Sequence, residues 1–229
     1  MNRFCHIFWL VVSFLTTNPP KAVAESRCDT LPENHSLYNG RVWYNLYKGV
    51  EENQFLFSED FLNGSVSMRG RTYSKIQIRY DIYKDEILIP YQPVGILQLN
   101  KEMVDSFSIN LPDREYRFVR LADSSDVEII GYFNEVYRGK TPLIVRYEKK
   151  IEKLADGGKY DKFYQVNKSF ILKDGKYWSL DSKKDLYRIF SKEKKTIRNY
   201  IKKNNIQIIR DDAESYVPVL KFIDSWPNL

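Results

Sequence analysis

The stretch KIQIRYDIYKDEILI, residues 75–89, decides the fold of this chain, because apolar and polar residues alternate through its first half. The apolar positions are Ile76, Ile78, Tyr80 and Ile82, and the polar positions between them are Lys75, Gln77, Arg79 and Asp81. Such alternation predicts a β-strand with one face on a core and the other in water. Three consecutive apolar residues, 87–89, follow a charged turn and predict a partner strand that is covered on both faces. The stretch therefore predicts an antiparallel hairpin.

Similar short runs recur along the chain and predict further strands. The predicted strands lie near residues 42–48, 64–69, 73–83, 86–91, 95–100, 105–111, 115–122, 131–138, 142–152, 164–173 and 176–180. Gly, Pro, Asn and Asp separate them, as is typical of turns. Between the last two strands, Asp174 and Gly175 tolerate a left-handed backbone and therefore predict a two-residue hairpin turn.

After Leu180 the apolar period becomes that of a helix. The pattern predicts helices over residues 182–190, 191–204 and 215–226. We expect Ser191 to cap the second helix and Ser215 to cap the third, which places Pro218 in a first turn. The predicted fold class is α+β and predominantly antiparallel β, built as a sandwich or a curved half-barrel sheet with C-terminal helices.

The N-terminus has the pattern of a secretory signal peptide. Arg3 precedes a short apolar run over residues 4–15, and small residues precede a cleavage site after Ala24. No later stretch approaches the roughly 20 apolar residues of a membrane-spanning helix. We expect an exported protein, periplasmic or extracellular. Its predicted parts are a signal peptide over 1–24, a flexible leader over 25–40, a β-rich domain over 41–180 and a basic helical segment over 181–229.

The mature chain has few residues suited to metal binding or nucleophilic catalysis. Cys28 would be its one cysteine and His35 its one histidine, too few for a zinc site or a histidine-dependent triad. We find no G-x-S-x-G motif, phosphate-binding loop or dinucleotide fingerprint. These observations predict a protein without cofactor or metal, and they argue against an enzyme.

Catalysis by carboxylates alone is the exception, because a glycosidase needs only two Asp or Glu residues that the fold brings together. Two clusters qualify, one with Asp81, Asp85 and Glu86 and the other with Asp123, Asp126 and Glu128. The ordinary interpretation is that they form turns and solvate the surface. A carboxylate-dependent hydrolase therefore stays an alternative.

Charge is unevenly distributed along the chain. Residues 25–139 contain 13 Lys and Arg against 18 Asp and Glu, whereas residues 140–205 contain 19 against 8. On the second predicted helix, Lys195, Arg198 and Lys202 line the face opposite the apolar residues, with Lys194 and Lys203 beside them. Such a surface attracts an anionic glycan, a lipid or an envelope protein, unless its lysines only favour solubility. Export makes nucleic acid an unfavoured partner.

Several stretches resemble a group of secreted, uncharacterised proteins of Bacteroidetes. The resemblance covers about residues 61–222 and rests on YSKIQIRYDIYKDEILI, ILQLNKEMVDSFSI, GYFNEVYRGKTPLIVRYEKKI, SFILKDGKYWSL and SKEKKTIRNYIKKNNI. It implies export, a β-rich body and a basic helical tail, and it implies no catalytic residue. We expect a non-catalytic envelope binding or assembly protein, with a carrier of an apolar ligand as a further alternative.

Overall fold

Antiparallel strands form one open sheet in the computed structural model of the chain, which describes residues 36–92, 94–121, 129–153 and 161–226. The eleven strands in this described part are β1 Gly40–Val42, β2 Leu62–Met68, β3 Arg71–Asp81, β4 Glu86–Tyr91, β5 Gly95–Leu99, β6 Val104–Asn110, β7 Glu115–Leu121, β8 Gly131–Tyr137, β9 Leu143–Glu152, β10 Lys162–Lys173 and β11 Lys176–Ser179. Their order across the sheet is β1-β5-β4-β3-β2-β6-β7-β8-β9-β10-β11. The predicted class, mostly-β α+β with C-terminal helices, is confirmed.

The hairpin predicted from residues 75–89 forms from β3 and β4, which pair between Arg79 and Leu88 and between Asp81 and Glu86. Ile78 and Tyr80 are buried, while Lys75 and Gln77 are exposed. Residues 87–89 are all buried, so the prediction that β4 is covered on both faces is confirmed.

The sheet curves strongly without closing. The backbone N–H of Lys149 in β9 donates to the carbonyl oxygen of Ile82, just after β3, at 3.1 Å. Four strands, β2, β6, β7 and β8, separate β3 from β9 in the sheet order. A flat sheet would hold these strands about 24 Å apart at ordinary strand spacing. The structure is therefore a curved sheet rather than a sandwich.

Aromatic rings fill the inside of this curve. Tyr80, Phe107, Phe118 and Tyr132 come from four different strands and are all buried. The rings of Phe107 and Phe118 stack with centroids 4.6 Å apart, and Tyr80 meets Phe107 edge-on at 5.0 Å. Aromatic pairs at such distances add to the stability that burial of the rings provides.

Three helices follow the sheet: α1 Lys183–Ile189, α2 Lys194–Lys203 and α3 Val217–Asp224. Ser182 caps α1, since its hydroxyl accepts a hydrogen bond from the backbone N–H of Asp185 at 3.3 Å. The two predicted caps, Ser191 and Ser215, are wrong. α2 begins after Glu193 rather than at Ser191. A 3₁₀-helix, Ala213–Tyr216, precedes α3 and is capped by Asp212 instead of Ser215.

The helices lie against the sheet through an apolar cluster. It joins Leu143 and Val145 of β9 and Ile171 of β10 to buried residues of the helices. The helical members are Leu186, Ile189, Ile197, Ile201, Val219, Leu220 and Ile223. The ring of Tyr200 also stacks on Phe222 at 3.7 Å, which holds α2 against α3.

The N-terminal part of the body differs from the prediction. Leu37, placed in the flexible leader, is 0% exposed in the core, and Tyr38 packs on Tyr91 at 4.6 Å. The strand predicted over 42–48 is instead β1 at Gly40–Val42, paired with β5. The proposed signal peptide lies outside the described residues. Within the described ranges no helix has the length and apolarity needed to cross a bilayer.

Two local predictions hold. Asp174 and Gly175 have φ values of 53° and 72°, as the tight turn between β10 and β11 requires. Pro218 lies in the first turn of α3, where its missing N–H removes no helical hydrogen bond.

Candidate functional site

The five predicted binding residues all lie on α2. Lys194, Lys195, Arg198, Lys202 and Lys203 are all exposed, and we call them the basic face. The ten residues of α2 include these five cations and no acidic residue. Ile197 and Ile201, on the opposite side of the helix, are buried in the apolar cluster. Packing therefore fixes the helix so that its cations face outward.

The basic face has no ion pair with any acidic residue of the described part of the chain. Some cations elsewhere in the described chain are paired. Examples are Arg117 with Glu135 at 3.2 Å, Arg138 with Glu135 at 2.5 Å and Arg188 with Asp185 at 3.0 Å. Other exposed lysines, such as Lys48 and Lys75, have no ion pair with a described residue either, so what distinguishes the basic face is that five cations and no acidic residue share one short helix.

The acidic cluster at the β3–β4 turn is divided by the fold into two environments. Asp85 turns inward and accepts a hydrogen bond from the hydroxyl of buried Tyr80 at 2.5 Å, and it forms an ion pair with Lys101. Gly131, with φ of +124°, lies so close that a Cβ there would collide with the Asp85 carboxylate. Asp85 therefore has a structural function in anchoring Tyr80, whose pKa is raised by burial and then by Asp85.

Asp81 is buried, although the alternation of β3 places it on the face predicted to lie in water. Its residue is 1% exposed. The segment over residues 53–57 covers Asp81, because it pairs with the end of β3. The backbone N–H of Leu56 donates to the carbonyl oxygen of Tyr80 at 2.9 Å, and the N–H of Ile82 donates to the carbonyl oxygen of Gln54 at 3.0 Å. The prediction of a solvated carboxylate is thus wrong at this position, because a distant segment adds a further layer.

One oxygen of Asp81 organises the turn and the other has no partner. Oδ1 accepts hydrogen bonds from the backbone N–H groups of Tyr83 and Lys84, each at 3.0 Å. Gln54 approaches the carboxyl, but no described group makes a hydrogen bond of normal geometry to Oδ2. Burial raises the pKa of Asp81, and the two backbone hydrogen bonds oppose that shift.

Glu86 is the direct neighbour of Asp81 across the hairpin. Residues directly opposite in an antiparallel pair have Cβ atoms about 4.5–5.5 Å apart. Burial raises the pKa of Glu86, and the charge of Asp81 raises it further. Arg41 lies 3.4 Å from Oε1 of Glu86 and opposes this effect. The carboxyl groups of Asp81 and Glu86 thus lie close together in a partly buried position at the end of the β3–β4 hairpin.

Both carboxyls line an open cleft of about 430 Å³, which we call the Asp81 cleft. Its lining comprises Arg41, Val42, Trp43, Tyr44, Leu46, Tyr47, Gln54, Asp81, Lys84, Glu86 and Gln98. Tyr44 and Leu46 project at the rim, 73% and 79% exposed. The cleft therefore combines carboxylates, amides, cations and aromatic rings, a set that can hydrogen-bond and stack on a small ligand.

The structure describes no grouping of three or more His, Cys, Asp or Glu side chains that could hold a metal ion, within the ranges given above. Asp81 and Glu86 contribute only two carboxyls. Cys28, His35 and the acidic cluster of Asp123, Asp126 and Glu128 lie outside the described residues.

No protein family, curated protein or solved structure matches this chain. The function proposed for it therefore has to rest on its own residues and their arrangement. Sequence reasoning identified the basic face and the three clustered carboxylates, but it missed Trp43, Tyr47 and Gln54 as their neighbours. The available signal is the aromatic run around residues 43–47, whose alternation instead predicts a strand.

Proposed function

We propose that this chain is an exported, non-catalytic protein of the cell envelope that binds anionic partners through the basic face of α2. The observation that carries the proposal is the group of five exposed, unpaired cations on a helix whose other side is fixed in the core. The partners would be an anionic glycan, a lipid surface or an acidic envelope protein.

The alternative, that the lysines only favour solubility, agrees less well with their arrangement. Surfaces adapted for solubility alone intersperse charges of both signs. The basic face contains one sign only, and unpaired cations in such a cluster repel one another. Clusters of about four to eight Lys or Arg residues on a helix are characteristic of surfaces that recognise anionic headgroups.

A triple charge reversal tests this function. Lys195→Glu, Arg198→Glu and Lys202→Glu together should abolish salt-sensitive binding of the full chain. Two probes distinguish the source of the anion: vesicles containing phosphatidylglycerol, compared with phosphatidylcholine alone, and immobilised polygalacturonate. Binding to the vesicles only would indicate a lipid, and binding to the polysaccharide only would indicate a glycan.

The matched control is Lys48→Glu, Lys75→Glu and Lys176→Glu, three exposed lysines on other elements that change the net charge by the same amount. This control should keep most of the binding. Equal loss in both triple variants would show that only net charge matters. If the unmodified protein binds neither the vesicles nor the polysaccharide, the proposal is contradicted.

Export is part of the same proposal and is supported by the pattern of residues 1–24. Mass spectrometry of the protein from its native host should give a mature N-terminus at Glu25. A chain that starts at Met1 in the cytosol would contradict export, and nucleic acid would then become the favoured anion.

A carboxylate-dependent hydrolase is the second candidate, and the pairing of Asp81 with Glu86 in one cleft specifically favours it. We rank it lower because Oδ1 of Asp81 is engaged by two backbone N–H groups and Glu86 is paired with Arg41. A carrier of apolar ligands ranks third, because packed rings such as Phe107 and Phe118 occupy the inside of the curved sheet.

A further inference from the structure

The Asp81 cleft is lined by a buried hydrogen-bond acceptor, Oδ2 of Asp81, which Gln54 approaches without making a hydrogen bond of normal geometry. Asp81 is 1% exposed, and no described residue makes a hydrogen bond of normal geometry to its Oδ2. Buried polar atoms in native proteins are nearly always hydrogen-bonded, so an exception beside a cleft calls for a partner from outside the chain, such as a water molecule or a ligand. The missing group must be a donor, such as a hydroxyl or an N–H.

The other polar groups of the cleft show what else a ligand would meet. Glu86 supplies a second acceptor opposite Asp81, while the side-chain amides of Gln54 and Gln98 can donate as well as accept. Hydroxyl groups match this mixed set, because each hydroxyl both donates and accepts.

The charges of the cleft favour a neutral ligand over a cation. Its two carboxylates are balanced by the two cations Arg41 and Lys84. Arg41 pairs with Glu86 and also donates to Gln98 at 2.8 Å, so it forms part of the wall. A site built for an amine or a guanidinium would have kept an excess of negative charge.

The apolar part of the lining suits a ring with a hydrophobic face. Tyr44 is 73% exposed beside Trp43 and Tyr47, although large aromatic side chains are usually buried more fully. A volume of about 430 Å³ lies in the range typical of small-molecule sites. A pyranose ring combines the two properties, hydroxyl groups around its edge and C–H groups on its faces.

We infer that the Asp81 cleft is a binding site for a neutral saccharide, which donates a hydroxyl hydrogen to Oδ2 of Asp81 and stacks on Tyr44. This site is separate from the basic face of α2 and does not depend on it. In the cell envelope the Asp81 cleft would bind a neutral sugar, while the basic face would bind an anion.

An array of neutral oligosaccharides, followed by titration calorimetry with any that bind, tests the inference on the full chain. The measurement is made at high salt, which weakens anion binding by the basic face. Asp81→Asn replaces the unpartnered acceptor by a donor and should weaken binding at least about tenfold, the usual effect of a lost hydrogen bond to a charged group. Tyr44→Ala should weaken it about fivefold to tenfold through lost stacking.

The matched controls are Asp105→Asn and Tyr164→Ala, an exposed carboxylate and an exposed ring on other strands. Both should bind as the unmodified chain does, and so should the triple variant of the basic face. If Asp81→Asn does not fold, Tyr44→Ala decides, because its side chain contributes little to the core. Release of reducing ends from a bound saccharide would support the site and add catalysis to it.

Three results would overturn the inference. The first is that no neutral saccharide of the array binds. The second is that binding is unchanged in both Asp81→Asn and Tyr44→Ala. The third is that a cationic probe, putrescine, binds in the cleft more tightly than any neutral sugar.

Discussion

The basic face and the Asp81 cleft each contain charged groups that lack a partner among the described residues, the five cations of α2 in one and Oδ2 of Asp81 in the other, but in opposite settings. The cations of α2 are exposed, so water solvates them and they cost the fold little. The carboxyl of Asp81 is 1% exposed, so its burial destabilises the charged form. The difference indicates that binding at the basic face should depend on salt, whereas binding at the cleft should depend on geometry and pH. Substitutions on each surface can separate these two behaviours.

The largest expected effect is on the buried side of α2. Ile197→Ala should lower the free energy of unfolding by about 2–5 kcal/mol, since it opens a cavity in the apolar cluster. Arg198→Ala, one position along, should change it by no more than about 0.5 kcal/mol. Urea unfolding measures both. A similar decrease in the free energy of unfolding for both variants would show that the cations of α2 also stabilise the fold.

Removing the Asp81 side chain should have the next largest effect. Asp81→Ala leaves the N–H groups of Tyr83 and Lys84 without their acceptor and should cost about 1–3 kcal/mol. Asp105→Ala on the exposed face of β6 is the control, with a change near zero. If urea unfolding shows no difference between the variants, Asp81 does not organise the turn.

A single substitution on the basic face should weaken binding without affecting stability. Lys195→Gln should reduce partition onto phosphatidylglycerol vesicles about fivefold, which corresponds to about 1 kcal/mol for one cation near an anionic surface. Lys75→Gln, on β3, should leave partition unchanged. An equal decrease for both lysines would mean that the whole protein, rather than α2, attracts the vesicle.

The smallest expected effect is a change in how stability depends on pH. Burial raises the native pKa values of Asp81 and Glu86 above their ordinary values of 3.8 and 4.5. The native state therefore holds more protons than the unfolded state just above those values, and stability from this source is lost as pH rises through the native pKa values.

Asp81→Asn should remove the Asp81 part of this slope, so the variant should gain stability relative to the unmodified chain as pH increases from about 4 towards neutrality. Urea unfolding of both proteins across this pH range measures the difference. A constant difference at all pH values would contradict a raised pKa for Asp81.

Much of the sheet could be predicted because its pattern is local. Ten of the eleven predicted strands match the strands β2–β11 within a few residues, since alternation records which face of a strand is buried. The first strand was misplaced because Val42, Tyr44 and Leu46 also alternate. These three side chains are exposed at the rim of a cleft, and alternation alone does not distinguish that setting from a core.

The two candidate sites also differ in how far a local sequence pattern predicts them. The basic face follows from the helical period, which separates Ile197 and Ile201 from the cations whatever the helix packs against. The burial of Asp81 depends on the segment over residues 53–57, more than 20 positions earlier in the chain. No local pattern in the sequence encodes that contact, so the unpartnered carboxylate could only be found in the folded structure.

Lysine footprinting is the most direct test of anion binding by α2. The full chain is acetylated briefly with and without phosphatidylglycerol vesicles or polygalacturonate, and mass spectrometry gives the modification of each lysine. Lys194, Lys195, Lys202 and Lys203 should be protected in the presence of at least one polyanion, while Lys48, Lys75 and Lys176 stay reactive. Equal protection of all lysines, or protection confined to lysines of the sheet, would contradict anion binding by α2.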